Sequence, residues 1–237
     1  MNSLIALIGL SVISILINTV GLYGISRMQS GPVTTLRQES PNAGVVGDFA
    51  LFLNIVGIPF AGLVLGIIRS DLMGLGADLG NPAQLAGFTF ASWIRGIGIS
   101  IAVTIIVLFV IRLGDHMAGT GASHTSTYSL LRSAVYDELH WAFYRVAPIV
   151  LINDVFFGVI LGVTLVLLEF ACRPRYHLGS GFTLSNDNLN RLDLVLRLVC
   201  LLVSSFLFLA THNLYVMIMA HMIIGVLGFR VMHRQSQ

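Results

Sequence analysis

Few ionisable groups of this sequence fall in strongly apolar surroundings. Glu138, His140 and Arg145 lie in the segment AVYDELHWAFYRVAP (134–148), Asp154 and Glu169 follow within 25 residues, and His212 and His221 lie near the C-terminal end. A charged group at the centre of a lipid-facing helix costs at least about 2.5–3.5 kcal/mol, so such groups are usually paired, lined by water or functional. His221 is the most demanding. It stands in the middle of VMIMAHMIIG, where a neutral imidazole still needs partners for both ring nitrogens. A structural hydrogen bond to another helix would meet that need. A carboxylate partner such as Glu138 would instead make an acid–imidazole site, the combination on which proton transfer relies.

Spacing places the other groups. Glu138 and Arg145 are seven residues apart, two turns along one helix face, and His140 and Tyr144 are four apart and adjacent. Two accounts fit 134–148. In the first it is an interfacial amphipathic helix with a solvated charged face and aromatic anchors; in the second Glu138 and His140 face a cavity inside the membrane. His212 lies in a turn, THN (211–213), where polar groups cost little.

The elements that must position these groups are set by composition. The chain has 237 residues, 56% of them hydrophobic and 10% charged, with a mean hydropathy of +0.88. A soluble domain carries about 25% charged residues, so this chain lacks the polar groups to cover a water-facing surface. The expected fold is all-α, a polytopic membrane helix bundle of about six transmembrane helices plus one amphipathic helix. All 13 basic residues are Arg, and the net charge of +2 excludes a strongly basic nucleic-acid binder. Cys172 and Cys200 match no metal spacing and read as unpaired lipid- or core-facing thiols.

The apolar runs predict spans over 4–26, 49–68 with a kink at Pro59, 90–111, and 149–171 after a bend at Pro148. The amphipathic helix is expected over 127–146, with Leu131, Val135, Leu139, Ala142 and Val146 on its apolar side. Residues 192–231, about 60 Å as one helix, fit better as two helices with a turn at THN. The N-terminal run is too long for a signal sequence and is expected to be an uncleaved first span. Within a single membrane domain this gives a three-span segment (1–113), a linker (114–126) and a second segment (127–237). The arginine distribution favours cytoplasmic termini, and the expected location is the inner membrane of a prokaryotic cell.

VYDELHWAFYR and THNLYVMIMAH together resemble the CPBP family, the CAAX prenyl endopeptidases and bacteriocin-processing intramembrane proteases. That family's first motif is a Glu-Glu pair followed by an aromatic residue and an arginine; here Asp137-Glu138 replaces the pair and Arg145 stands three residues later than the family's arginine. Its histidine on an apolar helix is matched by His221 after Thr211, Asn213, Leu214 and Tyr215, with Gly225 where the family has asparagine. Phe208 and His212 match the letters of its F-x-x-x-H motif, nine residues before His221. The resemblance covers roughly 127–231. It implies that Glu138 acts as general base on a water, that His221 with His140 or His212 polarises the scissile carbonyl or holds its oxyanion, and that Arg145 orients a carboxylate. The implied partners are the lipid bilayer and a membrane-tethered peptide. The alternative is a non-catalytic subunit or assembly factor of a larger membrane complex on the same scaffold. No cofactor is expected; a divalent metal would need Glu138, His140 and His221 as ligands without a regular zinc spacing.

Overall fold

The structure is a computed structural model that describes residues 2–17, 49, 52–76, 84–115, 127–172 and 187–233. The linker expected at 114–126 lies almost wholly outside the described residues, as does the second half of the first predicted span. Among the described residues all regular structure is helical, with one isolated bridge between Leu85 and Phe88.

Helix α1 covers Asn2–Leu16. A π-helical turn, Leu53–Gly57, leads into α2, Ile58–Val64. Pro59 stands in the first turn of α2, where its missing N–H costs nothing, so the break in this segment is the π turn before it rather than a proline kink. The run expected over 49–68 stops at Leu65, whose successor Gly66 takes a left-handed backbone. A short α3, Ser70–Met73, interrupts the predicted loop and ends at Gly74, φ 83°. The Gly74 carbonyl accepts the Leu214 N–H at 2.8 Å, and a Cβ at Gly74 would lie 2.9 Å from that nitrogen.

Helix α4, Phe90–Asp115, contains the third predicted span. Helix α5, Thr127–Ile152, passes straight through Pro148 for another turn. The chain then breaks at Asn153, φ 56°, and Asp154 caps α6, Val155–Cys172, by accepting the Phe157 N–H at 2.9 Å. The boundary between these helices thus lies at 153–154, not at Pro148, and Asp154 is a capping residue rather than a charge within a span. Helices α7, Asp187–Thr211, and α8, Leu214–His233, form the antiparallel hairpin expected from THN. His212 takes the left-handed conformation, φ 49°. Asn213 Oδ1 accepts the N–H groups of Tyr215 (3.0 Å) and Val216 (3.3 Å). Asn213→Ala is expected to lose about 1 kcal/mol of stability, read as a lower midpoint in a detergent unfolding titration.

Helix α5 is the hub. It packs against α1, the π turn, α2, α3, α6 and α8, while α4 closes over α7 and α8. Residues 140–149 are buried without interruption. A helix covered on every side is a core helix, so an interfacial helix with a solvated face is the wrong description of 134–148. The hydrophobic positions at spacings of three and four are present, but from Glu138 onward the face opposite them is covered too, while Arg132 stays exposed.

Helices α5 and α6 approach closely, and two glycines allow it. A Cβ at Gly158 would lie 2.5 Å from Ile149 Cγ1 and 2.6 Å from its Cα; one at Gly162 would lie 2.9 Å from Arg145 Cγ and 3.0 Å from its Cα. The stretch GVILG is a small-x-x-x-small ridge that lets two backbones approach. Gly158→Val must push α6 off α5 at backbone rather than at a pliable side chain. A loss of about 1–3 kcal/mol or more is expected, checked by thermal denaturation in detergent.

Two helical stretches are long and apolar enough to cross a membrane, Phe90–Arg112 and Leu194–Thr211; four shorter apolar ones are Leu4–Leu16, Leu53–Val64, Val155–Ala171 and Leu214–Gly228. The outward faces are apolar as well: Phe90, Ile94, Ile101, Ile105 and Phe109 on α4, and Phe156, Phe157 and Leu168 on α6, are each more than half exposed.

Candidate functional site

The polar groups that α5 carries into the core are met by groups from α7 and α8. Glu138 is completely buried. Its Oε1 lies 3.0 Å from His221 Nδ1 on α8, and its Oε2 accepts the Ser204 hydroxyl of α7 at 2.5 Å. Ser204 Oγ in turn accepts from Arg145 NH1 at 3.2 Å, so one hydroxyl links the acid and the base that stand two turns apart on α5. The Arg145 guanidinium also lies 4.6 Å from the centre of the Phe208 ring, a cation–π contact, and its other terminal nitrogen is 3.7 Å from Met217 Sδ. Trp141, one turn from Glu138, stacks on the His221 ring with centroids 5.3 Å apart and planes 13° apart. Glu138 and His221, 83 positions apart in the chain, are therefore in direct hydrogen-bonding contact, and the ring plane of His221 is fixed by an indole.

Helix geometry explains why these groups converge. Trp141 and Arg145 follow Glu138 at three and seven residues and share its face. On α7, Ser204 and Phe208 are one turn apart and face the same way. Burial of Arg145, at 1% exposed, is tolerable only because Glu138 balances its charge through Ser204 and because Phe208 offers a π face.

The remaining candidates do not join this cluster. His140 stands two residues from Glu138, and residues two apart on a helix do not face each other. Its Nε2 instead meets Glu169 Oε2 of α6 at 2.7 Å, with the Tyr144 ring 4.2 Å away. His140 is thus the partner of a second buried carboxylate and not a second imidazole at Glu138. His212 sits at the hairpin turn, exposed, with its ring edge-on to Phe208 at 5.1 Å. Partial burial and the nearby Arg95 hold its pKa below the ordinary imidazole value, which keeps it neutral at pH 7. Arg145 is engaged by Ser204 and Phe208 and is not presented to a substrate carboxylate. Asp137, the motif neighbour of Glu138, points away, accepting from Ser133 at 3.2 Å and lying 3.7 Å from Arg197.

The metal set considered from sequence does not assemble, because His140 turns to α6. Among the described residues no group of three or more His, Cys, Asp or Glu side chains is arranged to hold a metal ion.

Two members of the cluster escape sequence reasoning. Ser204 belongs to LVSSFLF, a polar pair inside an apolar helix, which is a visible signal; its neighbour Ser205 spends its hydroxyl on the Leu201 carbonyl one turn back. Trp141 reads as an anchor rather than as a ring support. Cys200, a buried free thiol, lies one turn before Ser204 on the same helix. What the arrangement can do is bounded by its chemistry: an acid and an imidazole in contact can exchange a proton, and a hydroxyl and a guanidinium hold the acid in place. Comparison with protein-family models, with curated proteins and with solved structures gives no match.

Proposed function

We propose that this chain is an intramembrane endopeptidase-like protein of CPBP type, in which Glu138 activates the water that hydrolyses a peptide bond. The observation that carries the reading is the Glu138–His221 contact between α5 and α8, deep in an apolar helical body. Glu138 takes the proton of the water, and His221, held by Glu138 and stacked on Trp141, donates to the oxygen that gains charge in the transition state. His140 and His212 have no part in this step.

In this reading the six apolar helices span the inner membrane of a prokaryotic cell with both termini cytoplasmic, and α5 is the enclosed helix that carries the acid. The apolar outward faces support a lipid surround, since contiguous exposed patches of this kind are rare on soluble monomers. The substrate is a membrane-tethered peptide.

A second reading has one specific observation in its favour. Glu138 has both oxygens bonded and no exposure. A polar cluster so closed would also serve to clamp α5, α7 and α8 in a non-catalytic membrane subunit. The test is cleavage of a membrane-tethered peptide library by the full chain in liposomes, alongside Glu138→Gln. Cleavage by the wild type that is lost in the variant supports the protease. Cleavage unchanged by the substitution removes Glu138 from the mechanism, and a wild type inert towards the whole library favours the clamp.

A further inference from the structure

Burial within the acid–imidazole cluster is uneven. Glu138, Trp141, Arg145 and Ser204 are no more than 1% exposed, whereas His221 keeps 8%. A group that reaches the cluster from outside therefore meets the imidazole first. One turn further along α8, on the same face as His221, stands Gly225. A Cβ at Gly225 would meet no atom within 4 Å, whereas one at Gly228, the next glycine of the helix, would touch Ile111 and Leu196 at 3.5 Å each. Gly228 thus serves packing and Gly225 does not. The Gly225 backbone is helical, so no left-handed turn requires it either. A glycine inside a helix weakens it relative to alanine, and neither local geometry nor a close neighbour accounts for this one. Gly9 and Gly98 are equally open, but neither lies on a helix that contributes to the cluster. Around Gly225, Ile224 is fully buried, Ile218 and Met222 are half-buried and Ile223 is exposed. The glycine therefore lies on the seam where the buried face of α8 passes into its outward one. The seam forms an apolar notch with the imidazole at its inner end.

We propose that Gly225 is the entry and specificity position of the site: the peptide reaches His221 sideways along this seam, and the notch receives a large apolar side chain next to the scissile bond. The inference rests on the protease reading and adds to it the direction of approach and the preferred side chain. Two features favour an apolar occupant over a polar one. The flanking side chains, Ile218, Met222 and Ile224, offer no hydrogen-bonding group, and a polar group placed among them would lose its water without a replacement. The absence of a side chain at Gly225 lets the peptide backbone come close to α8, one turn from the imidazole that donates to the developing oxyanion. Trp141 stacks on the imidazole and fixes its plane, so the approaching group meets a ring of set orientation.

The test needs no substrate in its first arm. Hydrogen–deuterium exchange at the imidazole C2 position is followed by mass spectrometry for each histidine of the full chain in detergent. In Gly225→Leu the new side chain leans back over the preceding turn, across His221. Exchange at His221 should slow by about tenfold or more, being left to local opening. The rates of His212, at the exposed turn, and of His140, enclosed with Glu169, should not change. Gly225→Ala strengthens the helix as much but adds one methyl group, and should keep most of the His221 rate. In the second arm, cleavage of tethered peptides by Gly225→Leu should show a KM raised about tenfold or more for phenylalanine beside the scissile bond, and far less for alanine there. Equal His221 exchange in wild type and Gly225→Leu, equal slowing by both variants, or an unchanged side-chain preference overturns the proposal. Cleavage lost in folded Glu138→Gln, with wild-type preference kept in Gly225→Leu, leaves the protease reading in place and ends the role of the notch. Cleavage that survives in folded Glu138→Gln ends the protease reading and the notch's place in it.

Discussion

Arg145→Leu is expected to destabilise the bundle by about 3–5 kcal/mol, because it strands a buried carboxylate without its counter-charge. Arg145 and Glu138 are 1% and 0% exposed and are linked through one serine hydroxyl. With the guanidinium gone, Ser204 loses a donor, Phe208 loses its cation, and Glu138 keeps only Ser204 and His221. The same reasoning predicts partial rescue. In Glu138→Leu/Arg145→Leu neither charge has to be desolvated, and replacing a buried pair by well-packed apolar groups is often neutral or stabilising. The double variant should therefore be more stable than Arg145→Leu alone, by about 2 kcal/mol or more on the same grounds. Unfolding titrations of the wild type, Glu138→Leu, Arg145→Leu and the double variant in one detergent give the coupling directly. Strict additivity would mean that the acid and the guanidinium do not sense each other.

The second large effect falls on activity. Glu138→Gln keeps the volume of the side chain, an acceptor for the Ser204 hydroxyl and a partner for His221, but it strands the buried Arg145 charge, so a lowered unfolding midpoint is expected as well. The amide cannot take a proton from water. General-base catalysis contributes about 10²–10⁴-fold, and cleavage of a tethered peptide, measured in detergent below the variant's midpoint where it is still folded, should fall by that factor. Full cleavage activity in Glu138→Gln under conditions where the variant is folded would remove Glu138 from catalysis.

Much of this site can be read in the sequence, for identifiable reasons. His221 in the middle of an apolar helix demands a partner, and Glu138 is an acid of matching need. THN announces its turn through a residue that tolerates a left-handed backbone and an asparagine that caps the next helix. What the sequence hides is direction. Glu138, His140 and Arg145 look like one group on the page, yet a two-residue step swings His140 to the far side of α5, where Glu169 waits. The heptad from Glu138 to Arg145 does the opposite and brings both to Ser204. The environment of α5 is hidden as well. Leu131, Val135 and Leu139 describe an amphipathic helix correctly, but only the arrangement of α1, α3, α6 and α8 around it shows that its polar side is buried from Glu138 on. The glycine ridge of α6 was open to inspection in GVILG; its partner, the Ile149–Arg145 stretch of α5, was not.

Everything functional depends on whether the acid and the imidazole touch in the folded chain. Magnetic-resonance dipolar recoupling in lipid bilayers, with ¹³C at the Glu138 carboxyl and ¹⁵N at His221 Nδ1, measures this without any substrate or variant. A Glu138 oxygen 3.0 Å from Nδ1 puts carbon and nitrogen within about 4 Å, and a strong coupling is the predicted result. Absence of coupling, with both groups ordered in the same sample, would contradict the site and with it the catalysis proposed for it.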